Sequence, residues 1–259
     1  MAKGLLIDTT KCTGCRGCQS ACKQWNLLPG IETSFSPTMT NPPDLGTYSY
    51  NHIEFYELTD DQDNLSWHFI QKRCLHCLYP VCVDSCPIGA IVKFENGPVV
   101  VDKNLCVGLQ YCGCPFDLLR FEEIGLNRAV KCTFCWNRLD EGQEPACAKT
   151  CPPNAIKFGG RDELLAQAHA RIQSNPGRYY NHVYGEHEAG GTSIMYLTAV
   201  APEKLGFPTF DSQPLSEEPS PVSQTKIPWG IPAGIAGIIA AVAGLWYFRA
   251  RRTKGKVKS

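Results

Sequence analysis

Apolar positions fall in short bursts along most of this chain, and only one apolar run is long. Leu5-Leu6-Ile7, closed by Asp8, has the length and composition of a buried strand. His52–Leu58 and Ser66–Lys72 alternate apolar and polar residues on either side of a polar break, which predicts a pair of strands. Val99–Asp102 reads as another short apolar strand. Beyond residue 160 the period lengthens. Leu164, Leu165, Ala168 and Ile172 recur at helical steps within Asp162–Ser174, after an Arg161-Asp162 start that offers an N-cap and before a Pro176-Gly177 stop. A helix is predicted there. Tyr179–Ala201 contains Gly190-Gly191 and a strand-like run, Ile194–Val200. Two stretches lack a period: 31–51, rich in Pro, Thr, Ser and Asn, predicts an irregular surface excursion, and 207–226, rich in Pro, Ser and Glu, predicts an exposed linker.

The long run, Ile227 to Phe248, holds no charged residue across 22 positions. As a helix it is about 33 Å long, enough to cross the hydrocarbon core. Trp229, Trp246 and Tyr247 fall near its two ends, where interfacial aromatics sit. Gly230, Gly234, Gly237, Ala241 and Gly244 recur at three- and four-residue steps that let membrane helices approach closely. A buried soluble helix is the plain alternative, and Arg249, Arg251, Arg252, Lys254, Lys256 and Lys258 just after it argue against that. The same six cations predict a cytoplasmic tail at 249–259 and an outside location for the rest, since only Lys226 stands close on the other side, with Glu217 and Glu218 further upstream. Met1-Ala2-Lys3-Gly4 shows no basic n-region, apolar h-region or twin-arginine pair. Export is therefore expected in complex with a partner that carries a signal.

Charge changes little: 25 Lys+Arg balance 25 Asp+Glu, which argues for neither nucleic acid nor an acidic substrate. Cysteine changes the picture. There are 15, an odd number that does not close into disulfides. Cys12, Cys15, Cys18 and Cys22 also crowd too closely to find unstrained partners among themselves. They form the first of four blocks. The second is Cys74, Cys77, Cys82 and Cys86-Pro87; the third is Cys106, Cys112 and Cys114-Pro115; the fourth is Cys132, Cys135, Cys147 and Cys151-Pro152. The run after Cys86, Pro87-Ile88-Gly89-Ala90-Ile91, parallels Pro152-Pro153-Asn154-Ala155-Ile156 after Cys151, and Pro115 to Phe121 is a looser copy. That internal repeat reads as a cysteine loop, a short helical turn and a short strand.

Thiolates are soft ligands suited to iron in a cluster, and cysteines at i, i+3 and i+6 let a short loop wrap one cluster. A Cys followed by Pro, coming after a helical turn, points to a different cluster. Zinc ribbons also use Cys-x2-Cys pairs, but they seldom add a third cysteine at i+6 and a Cys-Pro beyond it. The repeated blocks therefore predict iron–sulfur clusters.

With Trp25, Asn41-Pro42-Pro43-Asp44-Leu45, Pro145-Ala146-Cys147 and Gly190 to Tyr196, the four blocks and the C-terminal apolar run resemble the iron–sulfur subunit of membrane-bound formate dehydrogenases over nearly the whole chain. His182 to Thr192 is also similar to the anchored iron–sulfur subunit of uptake nickel–iron hydrogenases, and related subunits serve dimethyl sulfoxide, polysulfide and nitrate reductases. These motifs specify the superfamily and leave the substrate open. The resemblance implies an α+β fold of two intertwined ferredoxin-like halves over 1–160, an extension at 161–206 packing on them, the linker, and one transmembrane helix at 227–248. It also implies cross-paired ligands: Cys12, Cys15, Cys18 and Cys151 for one 4Fe–4S cluster, Cys132, Cys135, Cys147 and Cys22 for a second, and Cys74, Cys77, Cys82 and Cys114 for a third. The fourth would take Cys106, Cys112 and Cys86, and it meets Leu109 where the family places a ligand. Three cysteines favour a 3Fe–4S cluster; a 4Fe–4S cluster with a non-protein or distant ligand, or a lost or distorted site, are the alternatives. Cys112 and Cys114 stand two apart where the family has four, which leaves the role of Cys114 open.

Other residues carry plainer expectations. His76 lies between two ligands and reads as a packing residue or one that touches a ligand from behind. Arg16, Lys131, Lys149 and Lys157 stand beside cysteine loops, as charges that raise local potential or as solvated surface, and Trp25 and Trp136 read as packing. No Gly-rich phosphate loop or nucleophile–base pair is present in the sequence. The resemblance thus implies a subunit that transforms no substrate itself. It would pass electrons between a catalytic subunit, of molybdenum or tungsten pterin type, and a membrane cytochrome b or quinone-reactive subunit. The rivals are the equivalent hydrogenase subunit, a self-contained reductase using the three-cysteine site, and a structural zinc scaffold.

Overall fold

A computed structural model describes residues 2–35, 38–123 and 125–216. The expected membrane helix at 227–248, the basic tail and the end of the expected linker lie outside the described residues. Among the described residues no helix is long and apolar enough to cross a membrane.

The central sheet has four strands. β1 (Lys3–Asp8) pairs parallel to β10 (Ile194–Leu197) on one side and antiparallel to β8 (Ile156–Gly160) on the other, and β9 (Val183–Tyr184) closes the far edge against β10. Leu5, Leu6 and Ile7 are all buried because both faces of this sheet are covered. With a side-chain period of two, Leu5, Ile7, Ile194 and Tyr196 face the cysteine loops, packing with Cys18, Phe134 and Cys147. Leu6, Met195 and Leu197 face the other way, onto Leu164 and Ala168 of α5 (Arg161–Ser174).

The remaining strands are hairpins. β2 (Asn51–Thr59) and β3 (Leu65–Arg73) pair along their whole length, from Asn51↔Arg73 to Thr59↔Leu65. Their turn is tied by the Asp60 carboxylate, which accepts the Gln62 and Asn64 backbone N–H groups at 2.9 and 2.8 Å. The root of the hairpin is buried and its tip, with Leu65 and Trp67, is exposed. β4 (Ile91–Lys93), after block two, pairs with β5 (Val99–Val101), before block three. β6 (Arg120–Phe121), after block three, pairs with β7 (Ala129–Val130), before block four. Since β1 precedes block one and β8 follows block four, the pairing joins the outer blocks in one half and the inner blocks in the other. Short helices follow or carry some of the cysteines: α1 (Gly17–Trp25) holds Cys18 and Cys22, α2 (Val81–Asp84) holds Cys82, α3 (Trp136–Asp140) starts just after Cys135, and α4 (Ala146–Lys149) holds Cys147.

Four expectations shift in detail. The helix after Gly160 includes Arg161 and has no side-chain cap. Arg161 instead donates from Nε to the Thr192 carbonyl at 2.8 Å and from a terminal nitrogen to Glu186 O at 2.9 Å, so it ties the helix start to the β9–β10 loop. The strand from Ile194 stops at Leu197 rather than Val200, because Thr198 Oγ1 turns back to the Val200 carbonyl at 2.7 Å and its own carbonyl accepts from Tyr180. Asp102 leaves the Val99 strand, since its Oδ1 accepts from Asn104 N–H at 2.8 Å to start a turn. The segment expected to begin an exposed linker is anchored: Phe207 lies 4.5 Å from the Tyr184 ring and Phe210 lies 4.7 Å from Phe116. Among the described residues of 31–50 there is no named strand or helix, and β2 begins at Asn51.

Leu164 is the apolar anchor of α5 on the sheet. Leu164→Ala is expected to cost about 2–5 kcal/mol, read as a lower unfolding midpoint of the cluster-loaded chain; an unchanged midpoint would contradict this packing.

Candidate metal centres

All fifteen cysteines are free of disulfides. Block one leaves the end of β1 through a turn at Thr9–Lys11 and passes Gly14, whose φ of +65° is sterically open to glycine. A Cβ there would meet the Phe55 and Phe69 rings at 3.1 Å, so the loop lies directly on the β2–β3 hairpin. α1 then buries Cys18 and Cys22, one helical turn apart. Its neighbour α4 repeats the device, with Cys147 inside the helix and Cys151 just beyond its end.

Each of the two helices brings its cysteines near cysteines of the other block. Burial is the largest cause lifting Cys12, and Cys151 and Cys15 then add to it. Cys18 is pushed up to about 12 by burial first, with Cys147, Cys12 and Cys151 adding and the Gln71 amide opposing. Cys22, held well above the usual thiol range by burial, feels Cys132, Cys147 and Cys135. The chain thus brings Cys12, Cys15, Cys18 and Cys151 together, and beside them Cys22, Cys132, Cys135 and Cys147.

In the other half, Cys74, Cys77, Cys82 and Cys114 line one cavity together with His76, Val99 and Lys131. Its empty space, part of it continuous with solvent, is about 380 Å3. Cys112 is raised to about 12 by burial, then by a side-chain hydrogen bond with Cys86 and by the nearby Cys106, so these three form the last group. The two cysteines flanking Gly113 go to different groups, which places Cys114 with block two despite the shortened spacing. Gly113 itself donates to Ser85 Oγ at 3.0 Å. Leu109 is 47 % exposed and Tyr111 is 75 % exposed, so no side chain from this turn closes the three-thiol group.

The thiols are chemically prepared for anionic sulfur. Backbone N–H groups four residues after Cys86 and Cys114, those of Ala90 and Leu118, donate to their sulfurs at 3.3 and 3.4 Å. Ala129 N–H donates to Cys106 and Phe134 N–H to Cys132, both at 3.3 Å. Such bonds favour the charged form. Cations do the same from inside the protein. Arg73 is 1 % exposed, and its guanidinium reaches Cys132 Sγ at 2.7 Å and Cys147 Sγ at 3.1 Å. Burial would lower this group, and Cys132, Cys147 and Cys22 outweigh it to hold the guanidinium above its ordinary range. Lys131 is likewise buried, with Nζ 3.4 Å from Cys74 Sγ. Lys93 donates to the Cys77 carbonyl at 2.8 Å, and burial pushes it down to about 8.

Burial also pushes Cys82 and Cys135 up to about 12 and Cys77 well above its usual range, so these three would stay protonated as empty thiols. Arg73 and Lys131 are buried cations that need fixed negative charge beside them, since an uncompensated buried cation is costly, and a thiol that keeps its proton does not supply that charge. Metal-held thiolates remove that conflict, and so the residues present fit sulfur-ligated iron. Among the described residues no three His, Cys, Asp or Glu side chains close on a single ion. A cube of iron and sulfide needs its thiolates wider apart than the about 3.8 Å set by tetrahedral zinc–sulfur bonds.

His76 is fully buried and stacks on Phe134 with ring centroids 4.9 Å apart. Burial first, then Lys131, Arg73 and Lys93, keep it well below its ordinary range and therefore neutral. Of the four basic residues flagged in the sequence, only Lys131 is buried among thiols. Arg16 lies over the Phe55 ring at 5.0 Å and Lys149 is exposed. Trp25 carries Arg138 over its ring at 4.5 Å, and Trp136 packs on Phe94 at 5.8 Å. Sequence reasoning missed Arg73 and Gln71: the expected strand at 66–72 holds Gln71 as an ordinary polar position and stops one residue before Arg73.

Residues 65–161 and 11–90 each match a family model described as a 4Fe–4S dicluster domain. The iron–sulfur subunit of the nitrate-inducible formate dehydrogenase of Escherichia coli K12 is 36 % identical, over 93 % of this chain and 82 % of its own length. The hydrogenase-2 operon protein HybA of Escherichia coli O157:H7 is 32 % identical, over 97 % of this chain and 85 % of its own. A protein of Nitratidesulfovibrio vulgaris is 37 % identical over 94 % of this chain, which spans 63 % of that relative's length.

Two outcomes are expected. Stripping iron with a chelator and reductant leaves Arg73 and Lys131 unpaired, a loss of about 3–5 kcal/mol per broken pair, so circular dichroism should show a much lower melting temperature; an unchanged melt would contradict the pairing. Gly108 has φ +73°, and a Cβ there would sit 1.7 Å from the Leu126 carbonyl oxygen. Gly108→Ala should therefore displace the Cys106–Cys112 turn and remove one cluster's iron, leaving the other three clusters in place by EPR; unchanged iron content would count against that assignment.

Proposed function

The chain belongs to the family of iron–sulfur subunits that includes those of formate dehydrogenase, and on that premise we propose that it carries electrons through a membrane-bound oxidoreductase complex without transforming a substrate itself. Cys12, Cys15, Cys18 and Cys151 hold a first 4Fe–4S cluster, Cys22, Cys132, Cys135 and Cys147 a second, and Cys74, Cys77, Cys82 and Cys114 a third. Cys86, Cys106 and Cys112 hold a 3Fe–4S cluster, because position 109 offers leucine. When bound, these groups supply one-electron carriers.

One observation supports the reading: neighbouring thiol groups are close enough to act on one another in succession. Cys18 feels Cys147 between the first and second groups, Cys132 feels Cys74 between the second and third, and Cys82 feels Cys112 between the third and fourth. The succession begins near exposed Cys15 and ends at partly exposed Cys112; between them Cys22, Cys74, Cys132, Cys135 and Cys147 are buried, and Cys77, Cys82 and Cys114 are partly exposed. The interior residues exclude water, hold sulfur ionised and keep the groups adjacent, and the two accessible ends are where partners meet it. Those partners are a catalytic subunit of molybdopterin type and a membrane cytochrome b or quinone-reactive subunit. The apolar run at 227–248 anchors the chain by a single pass, with the cluster domain outside, the tail cytoplasmic and export by a partner's signal.

A second reading, a hydrogenase-linked subunit, is favoured by the likeness to HybA over almost the whole of both chains. Gentle solubilisation, purification through this chain and assay of formate- and hydrogen-dependent dye reduction separates the two. A pterin-binding partner with formate activity is expected. A nickel–iron partner with hydrogen activity would move the chain to the hydrogenase branch, and a colourless zinc protein would overturn both.

A further inference from the structure

β3 runs out of the exposed hairpin tip into the cysteine core and ends as Gln71-Lys72-Arg73, and the chain continues as Cys74-Leu75-His76. Strand alternation turns Lys72 outward, where its ammonium meets Glu54 at 3.0 Å. It turns Gln71 and Arg73 inward, and they are 2 % and 1 % exposed. His76, just past the strand, is fully buried.

All three side chains carry N–H groups that the protein leaves short of oxygen acceptors. Both polar atoms of the Gln71 amide are buried without a hydrogen-bond partner, and this amide is the group beside Cys18. The Gln71 carbonyl is already engaged by the Tyr196 hydroxyl at 2.7 Å, which fixes the strand at this point. Arg73 gives both terminal nitrogens to sulfur, on Cys132 and Cys147, and its Nε has no partner. His76 accepts the Val99 backbone N–H on Nδ1 at 3.0 Å. That bond places the imidazole hydrogen on Nε2, and Nε2 is buried with no partner. The same imidazole lines the cavity formed by Cys74, Cys77, Cys82 and Cys114. A buried donor without an acceptor is unfavourable, and six residues that place three of them beside three different thiol groups are accounted for if the acceptor is cluster sulfur.

We infer that Gln71 to His76 is a rail of hydrogen-bond donors, with Gln71, Arg73 and His76 bonded to sulfur of the first, second and third clusters in turn and holding the reduction potential of each one up. The inference rests on the four-cluster reading above. Its physical basis is that reduction adds negative charge to a cluster, so N–H donors and a cation stabilise the reduced form more than the oxidised one. They are positioning residues: none ligates iron. The group at Cys86, Cys106 and Cys112 receives no donor from the rail.

The test is an EPR-monitored redox titration of the purified complex bearing Gln71→Leu, Arg73→Met or His76→Phe. Each variant should move the midpoint of one cluster, a different one each time, to lower potential by at least tenfold in the reduction equilibrium, about 59 mV for one electron. His76→Gln and Arg73→Lys, which keep an N–H donor, should restore most of the shift. Unmoved midpoints with full iron content, or the same cluster moving in all three variants, would overturn the rail. Should a variant lose its cluster, pulsed EPR on the unaltered reduced complex decides: an imidazole nitrogen and an exchangeable proton coupled to a single cluster are expected, and the absence of both overturns it. A lack of clusters in the unaltered complex would instead sink the reading on which it rests.

Discussion

A guanidinium buried against sulfur is the interaction on which this architecture depends. Arg73 sits with Cys132 and Cys147 at hydrogen-bond distance and almost no contact with water. A cation in that position is tolerable only when negative charge is fixed beside it. Metal-held thiolates supply that charge permanently. Lys131, beside Cys74, repeats the argument one group further along. Folding of the core and loading of iron are thus coupled: the cations that stabilise the filled sites destabilise the empty ones.

The topology explains how thiols distant in sequence come to share a site. β1 and β8 are neighbours in one sheet, which brings the loop after the first to the helix before the second. α1 and α4 then each serve two groups, and the β4–β5 pairing repeats the arrangement for the inner blocks. This interleaving gives closely spaced groups and a dry interior from a modest chain. Electron transfer needs little else from the protein, since the redox chemistry belongs to the clusters and the fold sets spacing, burial and local charge.

Much of this was legible in the sequence because the signals were local. Period-two alternation marked the β2–β3 hairpin to within one residue at each end, and helical spacing marked α5, with other boundaries shifted where Thr198, Asp102 and Arg161 use their side chains or backbone in other bonds. Cysteine spacing marked the blocks. What was hidden depended on distant partners. Nothing near Ile194 announces that it lies parallel to β1, and nothing near Phe207 announces Tyr184 and Tyr196 as its neighbours. Arg73 and Gln71 read as ordinary strand residues until the segments carrying Cys132, Cys147 and Cys18 are folded against them. The shortened third block was ambiguous for the same reason, since the destination of Cys114 is set by block two.

The central claim is that these cysteines hold iron–sulfur clusters rather than single ions. Anaerobic determination of iron and acid-labile sulfide in the purified chain tests it most directly. Three 4Fe–4S clusters and one 3Fe–4S cluster require about 15 iron atoms and about 16 sulfides per chain. Stoichiometric zinc with no acid-labile sulfide would contradict the account.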